Sequence, residues 1–216
     1  MAYVSLDSAR KLRGHKSKQT QVAVVTEDSA ALEFVNLYCH ELRYCHTAGA
    51  WFRWNVVTWV RDETRLAFNW TRELARSLSA DQPKNKRQGI AGTRFAHGVE
   101  RFAQADQRVA VTASYWNADP WLFGTPGGTV DLVTGELRDS RQDEGISRLT
   151  SVAPVPGDCP RWIQFLNEAT GKDEGLIQFL QQWCGYALTG ITREHALVFV
   201  YGPGGNGKTV FLKRRQ

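Results

Sequence analysis

The residues whose spacing is best suited to chemistry form a glycine-rich loop near the C-terminal end. Residues 202–209 read GPGGNGKT and fit the pattern G-x-x-x-x-G-K-[ST]. In this pattern backbone N–H groups surround phosphate oxygens, the lysine reaches the β- and γ-phosphates, and the hydroxyl residue binds Mg²⁺ held by the nucleotide. The predicted nucleotide-binding residues are Gly202, Pro203, Gly204, Gly205, Asn206, Gly207, Lys208 and Thr209, with Thr209 as the Mg²⁺ ligand.

The segments beside this loop favour the same interpretation. Residues 196–201 read ALVFVY, a short apolar run that predicts a buried strand before the loop. A helix is expected to begin near Thr209, and its first N–H groups would reinforce the phosphate site. A glycine-rich turn that fits the pattern by chance is the alternative. The preceding strand and the Lys-Thr pair argue against it.

The positive charge of the chain is concentrated at its two ends. Of the net charge of +5, residues 1–20 carry +4 and residues 208–216 carry another +4, which leaves −3 for the residues between. Residues 1–21 are therefore predicted to form a basic flexible tail. Such a tail can bind nucleic-acid phosphates without reading sequence, or can simply be solvated, and both interpretations stay open.

Cysteine usage and hydropathy argue against several other classes of protein. The four cysteines form no C-x-x-C pair and fit no common zinc spacing, so we expect reduced thiols and no metal site built from them. No apolar run is long enough for a membrane helix, and residues 1–20 lack the apolar centre of a signal peptide. A cytoplasmic protein without a membrane partner is the expectation.

Apolar periodicity predicts a first helix and a hairpin after the tail. The helix is expected to run from Asp28 or Ser29 to about Tyr44. Its apolar face would consist of Leu32, Val35, Cys39 and Leu42. Residues 50–61 are aromatic and β-branched and predict a hairpin. The tryptophans of this hairpin (Trp51, Trp54 and Trp59) could stack on nucleic-acid bases, but the hydrophobic core is the favoured place for aromatic residues in a strand.

A polar segment separates the second predicted helix from the third. The second helix is marked by Leu66, Trp70, Leu74 and Leu78, and the third by Phe95, Val99 and Phe102. Residues 81–93 read DQPKNKRQGIAGT and predict a polar loop. Lys84, Lys86 and Arg87 in this loop are the predicted DNA contacts of the body, with an ordinary solvated loop as the alternative.

Turn signals organise the remaining residues into a second hairpin and two more helices. Within residues 116–137 we expect a turn at residues 126–128, a strand at residues 129–133 and a second turn at residues 134–135, which gives a hairpin-like element. Asp119 and Asp131 are expected to form turns. Asp158 and Asp173 are expected to cap the fourth and fifth helices. No complete set of nucleophile, base and acid emerges from these residues.

The stretch from residue 116 to residue 209 resembles the phage and plasmid primase–helicase family. These proteins are superfamily-3 DNA helicases with a poxvirus-type N-terminal domain. The similar blocks are GTPGGTVDLVTGELR (124–138), CPRWIQFL (159–166), LIQFLQQWCGYALTG (176–190) and the loop YGPGGNGKT (201–209). The order and spacing of these blocks are more specific than the loop alone. The likeness extends over residues 26–216.

The resemblance implies a fold, cofactors and partners. The implied α+β fold has a mainly helical accessory domain with small β-hairpins at residues 22–192. The first strand and P-loop of an incomplete AAA+-like ATPase domain follow at residues 193–216. ATP and Mg²⁺ are the implied cofactors. Single-stranded or replication-fork DNA and a homo-oligomeric ring, usually a hexamer, are the implied partners. The implied location is the cytoplasm of a bacterial host, with a prophage or plasmid gene.

Several parts of the family's motor have no counterpart in this sequence. The Walker B carboxylates, the sensor residue, the arginine finger and the DNA-binding hairpin are missing after the loop. We therefore expect a truncated helicase whose catalytic set is incomplete and which alone hydrolyses no ATP. The alternatives are a DNA-binding or oligomerisation module without a motor, a small P-loop enzyme such as a kinase, and an inactive remnant of a broken gene. The missing sheet argues against the kinase.

Overall fold

The structure is a computed structural model, and it describes residues 24–195, 197–202 and 204–213, with the backbone alone at Lys213. The predicted basic tail at residues 1–21 lies outside these described residues. So do Ala196 of the predicted strand and Pro203 of the predicted nucleotide-binding loop. Within the described part, no helix is both long and apolar enough to cross a bilayer.

The N-terminal part of the fold is a layer of helices packed against a mixed sheet. The helices are α1 (Glu27–Tyr38), α2 (Leu66–Ala80), α3 (Lys84–Ile90) and α4 (Thr93–Gln104). The strands are β1 (Leu42–Cys45), β2 (Ala50–Trp54), β3 (Trp59–Arg61) and β4 (Ala110–Val111). The sheet order is β3-β2-β1-β4, and only the β1–β4 pairing is parallel. The predicted hairpin at residues 50–61 is confirmed as β2 and β3.

Helices and sheet share one hydrophobic core. Phe34 and Val35 of α1, Leu74 of α2 and Val99 of α4 pack in the same buried cluster as Trp51 of β2. Trp59 is 1% exposed, and its indole N–H donates to the carbonyl oxygen of Gln142 at 3.0 Å. The core interpretation of Trp51 and Trp59 is therefore confirmed, because neither ring is available for stacking on bases.

The first helix is shorter than predicted. It ends at Tyr38, and residues 42–45 form β1, which pairs antiparallel with β2. This pairing buries Leu42 and Cys45 completely, which a longer helix would not do. Thr26 caps the helix, with Ser29 returning the bond in a capping box, and Leu32 points outward at 49% exposure. Tertiary pairing of β1 thus overrides the helical periodicity.

The predicted polar loop at residues 81–93 is wrong, because residues 84–90 form α3. The helix begins directly after Pro83 and ends with Ile90, its one buried residue. Lysine, arginine and glutamine are good helix formers, and Ile90 anchors the turn on the core. The polar composition hid a short helix that has a single apolar contact.

A second, antiparallel sheet follows the core. Its strands are β5 (Leu122–Thr125), β6 (Gly128–Asp131) and β7 (Leu137–Arg138), in the order β5-β6-β7. The predicted hairpin at the second turn is confirmed as β6 and β7, and β5 before the first turn is an additional strand. Asp119 and Asp131 accept hydrogen bonds from the backbone N–H groups two residues further on, so their prediction as turn formers is also confirmed.

The C-terminal part contains the helices α5 (Pro160–Thr170), α6 (Glu174–Thr189) and α7 (Lys208–Lys213). Asp173 caps α6 as predicted, whereas Cys159 and not Asp158 occupies the N-cap position of α5. The predicted strand is not formed at residues 197–201. Leu197 is 90% exposed there, and no described strand pairs with this segment, so its backbone has no ladder to join.

Candidate nucleotide loop and basic helical region

The P-loop (residues 202–209) adopts conformations that require glycine. Gly202 has a φ of +148° and Gly207 a φ of +82°, values that side-chain-bearing residues rarely adopt. A Cβ atom at Gly207 would also lie 3.0 Å from the ring of Phe165 on α5. The glycines therefore allow both the backbone turn and its close approach to α5.

Lys208 closes the P-loop on itself. Its ammonium group donates to the carbonyl oxygen of Gly202 at 2.8 Å and to the side-chain oxygen of Asn206 at 2.6 Å. These bonds hold the positive charge across the concave side of the loop. An anion that enters the loop would find the ammonium within reach, because its acceptors are neutral and can be exchanged for charged phosphate oxygens.

Helix α7 is anchored through one aromatic side chain. Phe211 is buried and stacks with Trp162 of α5 and Trp183 of α6 at centroid distances of 5.8 and 6.0 Å. The backbone N–H of Phe211 donates to the carbonyl oxygen of Gly207 at 2.9 Å. A cleft of about 440 Å³ opens beside the loop, between α5, α6 and residues 198–201. The loop therefore sits at the edge of a cavity rather than on a flat surface.

The chemical groups of the P-loop fit a nucleoside triphosphate with Mg²⁺. Lys208 begins α7 and offers an ammonium group, and Thr209 follows it with an exposed hydroxyl-bearing side chain. Backbone N–H groups, an ammonium and a hydroxyl are the groups that phosphate and its Mg²⁺ require. Across the described residues, no group of three or more His, Cys, Asp or Glu side chains gathers into a metal site.

The predicted DNA contacts lie on a helix and not in a loop. Lys84, Lys86 and Arg87 are all exposed on α3, and the Arg87 guanidinium donates to the carbonyl oxygen of Gln82 at 2.8 Å. Their neighbourhood is strongly basic, since residues 65–104 contain eight arginines and lysines and only three carboxylates. This region spans α2, α3 and α4 and carries a net charge of +5.

Sequence reasoning missed this basic helical region because it averaged the charge over the whole body. The −3 of residues 21–207 hides the +5 of residues 65–104. A detectable signal was present, namely pairs of arginines seven residues apart on each of two predicted helices: Arg65 with Arg72, and Arg94 with Arg101. Lys84, Lys86 and Arg87 form only part of the charge that the fold gathers.

One carboxylate organises the start of this region. Asp62 accepts hydrogen bonds from the backbone N–H groups of Thr64 at 3.0 Å and Ala67 at 3.1 Å. Burial would raise the pKa of Asp62, but the bonds from Leu66, Ala67 and Thr64 outweigh it, and the pKa lies below its ordinary value. Asp62 thus caps α2 in place of Arg65, the N-cap residue, whose side chain makes no capping bond.

Comparison with known proteins gives the family of the domain. The family model described as D5 N terminal like matches residues 31–171. An uncharacterized mitochondrial protein of Marchantia polymorpha, ymf21, is 28% identical to this chain over 38% of the chain and 53% of its own length. The chain therefore spans about half the length of this curated relative. Because the family model covers more than half of the chain, the protein belongs to the D5 N-terminal-like family, the N-terminal domain of primase–helicase-like proteins of DNA replication.

Proposed function

We propose that this chain is the N-terminal part of a replicative superfamily-3 DNA helicase or primase. The observation that carries the proposal is the order of two features along one chain. A D5 N-terminal-like domain ends at residue 171, and the P-loop follows at residues 202–209. In a replicative helicase of this kind, ATP hydrolysis at such a loop drives DNA unwinding. The start of the ATPase domain at residues 193–216 and the ring-shaped homo-oligomer belong to this proposal.

The chain's own residues have defined roles in this proposal. Lys208, whose ammonium now bonds to the carbonyl of Gly202 and the amide of Asn206, would hold the β- and γ-phosphates of ATP. Thr209 would supply its hydroxyl to the Mg²⁺ that neutralises the phosphate charge. The positive-φ glycines leave room for the triphosphate against the backbone. Pro203, Gly204 and Gly205 complete the loop as it is predicted from the sequence.

Nucleotide binding without hydrolysis is the expected activity of the described residues. Hydrolysis requires groups that orient a water molecule and complete the Mg²⁺ shell. The P-loop itself (residues 202–209) contains no carboxylate that could do so. In this proposal ATP is a ligand of the P-loop, and its hydrolysis would need groups from outside the loop.

Binding of Mg·ATP tests the proposal. We expect weak binding to the full chain by isothermal titration and a loss of at least about tenfold in Lys208→Ala, because a charge-assisted bond to phosphate is removed. Lys86→Ala is the matched control, since it removes an exposed lysine far along the chain from the loop. Equal affinities of wild type and Lys208→Ala would refute the nucleotide-binding role.

A second candidate function is a DNA-binding or oligomerisation module that works without a motor. The basic helical region favours it, because a net charge of +5 over forty residues attracts nucleic acid independently of nucleotide. This module would bind DNA equally well with and without Mg·ATP. The predicted contacts Lys84, Lys86 and Arg87 and the predicted cytoplasmic location apply to both candidates.

A further inference from the structure

Two helices outside the P-loop carry the same arrangement of arginines around an aromatic ring. Each ring has an arginine three residues before it and another four residues after it. These offsets place a ring and its arginines on one side of a helix. The arginine–aromatic surface consists of Arg65, Phe68 and Arg72 at α2 and of Arg94, His97 and Arg101 on α4.

The structure joins the two halves of this surface through their rings. Phe68 and His97 stack with their ring centroids 4.4 Å apart and their planes at 26°. The guanidinium of Arg65 lies over the Phe68 ring, 4.5 Å from its centroid. Seven residues correspond to about 10.5 Å along a helix. Helical spacing places Arg72, Arg94 and Arg101 about one turn from the ring on their own helix, and the stack brings the two helices' rings together.

The four arginines of this surface form no ion pair within the described ranges, although one carboxylate lies beside the central rings. Glu73 on α2 accepts a hydrogen bond from Asn69 at 2.8 Å. Glu100 on α4 accepts one from the indole of Trp51 at 3.1 Å, and its second oxygen lies 3.8 Å from Nδ1 of His97, so a single carboxylate borders the rings. The carboxylate of Asp62 accepts a hydrogen bond from the backbone N–H of Ala67 at the start of α2. No carboxylate in the described ranges lies within ion-pairing distance of the four arginines, and all four are exposed.

The ring stack gives this surface a second chemical character. Phe68 covers one side of His97, yet the side chain of His97 remains 46% exposed. Proteins that bind single strands combine cations that track the phosphates with rings on which bases stack. Phe68 is only partly exposed, so no apolar side chain of this surface projects outward as membrane insertion would require.

We propose that the arginine–aromatic surface binds single-stranded DNA. The four guanidinium groups contact phosphates, and one base stacks against the open side of His97. The choice of DNA as the nucleic acid rests on the proposed role in replication. The surface itself is argued from its charge and its rings and needs no nucleotide in the P-loop.

Fluorescence anisotropy of a fluorescein-labelled 30-nucleotide thymidine strand tests the proposal with the full chain. The double variant Arg72→Gln/Arg101→Gln should raise the Kd about tenfold. The slope of log K against log salt should become shallower by about 1.4, at about 0.7 for each lost phosphate contact. The control Arg161→Gln/Arg193→Gln, which removes two exposed arginines elsewhere, should retain both values.

A second pair of variants tests the ring. His97→Ala should raise the Kd at least about fivefold at constant salt slope, because a base loses its stacking partner while the phosphate contacts remain. His97→Phe should keep the wild-type affinity, since it preserves an aromatic face. A loss of the same size in both variants would contradict the stacking part of the proposal.

Clear outcomes overturn the proposal. The first is an arginine double variant that keeps the wild-type Kd and salt slope for the DNA strand. The second is a double variant that loses binding to phosphatidylserine vesicles but keeps its binding to the DNA strand. Matching thermal unfolding midpoints check the fold, and the single variants Arg72→Gln and Arg101→Gln replace the double variant if it unfolds. Lys208→Ala should bind the strand like the wild type, which separates this test from that of the ATP site.

Discussion

The residue that best shows how single side chains set up the basic helical region is Asp62. Arg65, the N-cap residue of α2, has a left-handed backbone with a φ of +61° and gives no side-chain cap. Asp62 supplies the missing acceptor from three residues earlier. This leaves the guanidinium of Arg65 over the Phe68 ring rather than at the helix terminus. Capping and surface chemistry are thus divided between two residues.

Removal of this cap should destabilise the fold. Asp62→Ala is expected to lower the free energy of unfolding by about 1 kcal/mol, because N–H groups at the start of α2 lose their acceptor. Urea unfolding followed by circular dichroism measures the change. Asp119→Ala is the matched control, since its carboxylate accepts a bond from Trp121 in an exposed turn and caps no helix. A loss as large in the control would contradict the capping role.

The same variant should change how stability depends on pH. The pKa of Asp62 is lower in the folded chain than in the unfolded one, so its carboxylate stabilises the fold fully above the unfolded value of about 4. This stabilisation is lost as the pH falls through the lower folded pKa. Asp62→Ala should therefore differ from the wild type at pH 6 and approach it near pH 2.

At the scale of elements, the second sheet depends on a turn that only glycine can make. Gly128, at the start of β6, has a φ of +135°, and a Cβ atom there would clash with the carbonyl oxygen of Arg138 on β7. Thr125 completes the turn by donating from its hydroxyl to the carbonyl of Gly128 at 2.9 Å. The turn therefore fixes the register of β5 on β6, and the absence of a side chain at Gly128 allows the close approach of Arg138 on β7.

Two glycine substitutions separate backbone strain from steric exclusion in this sheet. Gly135 also has a positive φ, of +76°, but nothing lies within 4 Å of its added Cβ. Gly135→Ala should lower the free energy of unfolding by about 1 kcal/mol through backbone strain alone. Gly128→Ala should lower it by at least about 2 kcal/mol more, because the added Cβ also clashes. Thermal unfolding of both variants measures the difference. Equal losses of stability in the two variants would mean that the β6–β7 contact leaves room for a Cβ atom at Gly128.

The elements that could be predicted from the sequence are those with local chemical signals. The hairpin at residues 50–61 follows from its β-branched residues and from Asn55, whose side chain accepts the turn N–H groups of Val57 and Thr58. The cap at Asp173 is equally local. The end of α1 could not be predicted, because it depends on the pairing of β1 with β2 and, in parallel, with β4.

The candidate sites differ in the same way. The P-loop could be predicted because eight consecutive residues carry its chemistry. The arginine–aromatic surface could not, because α2 and α4 come together only in the fold, through the Phe68–His97 stack. Likewise the predicted strand at residues 196–201 has the right side chains but no described strand beside it. Long-range neighbours decide all three cases.

At the scale of the whole molecule, packing and charge are unevenly distributed. Helices α1, α2 and α4 bury a continuous core against the first sheet. After residue 159, Leu166 and Phe211 are the buried apolar residues within the described ranges. The basic helical region lies in the well-packed part and the P-loop in the sparsely packed part. We infer that the two proposed ligands, DNA and ATP, bind separate parts of the chain.

The measurement that tests the central claim most directly is the Mg²⁺ dependence of ATP binding in Thr209→Ala. If the loop is the start of an ATPase domain, Thr209→Ala should weaken ATP binding in the presence of Mg²⁺ and leave it unchanged in EDTA, because the hydroxyl acts only through the metal. Thr209→Ser should restore the wild-type Mg²⁺ response. The account would be contradicted if Mg²⁺ changed the ATP affinity of Thr209→Ala and of the wild type by the same factor.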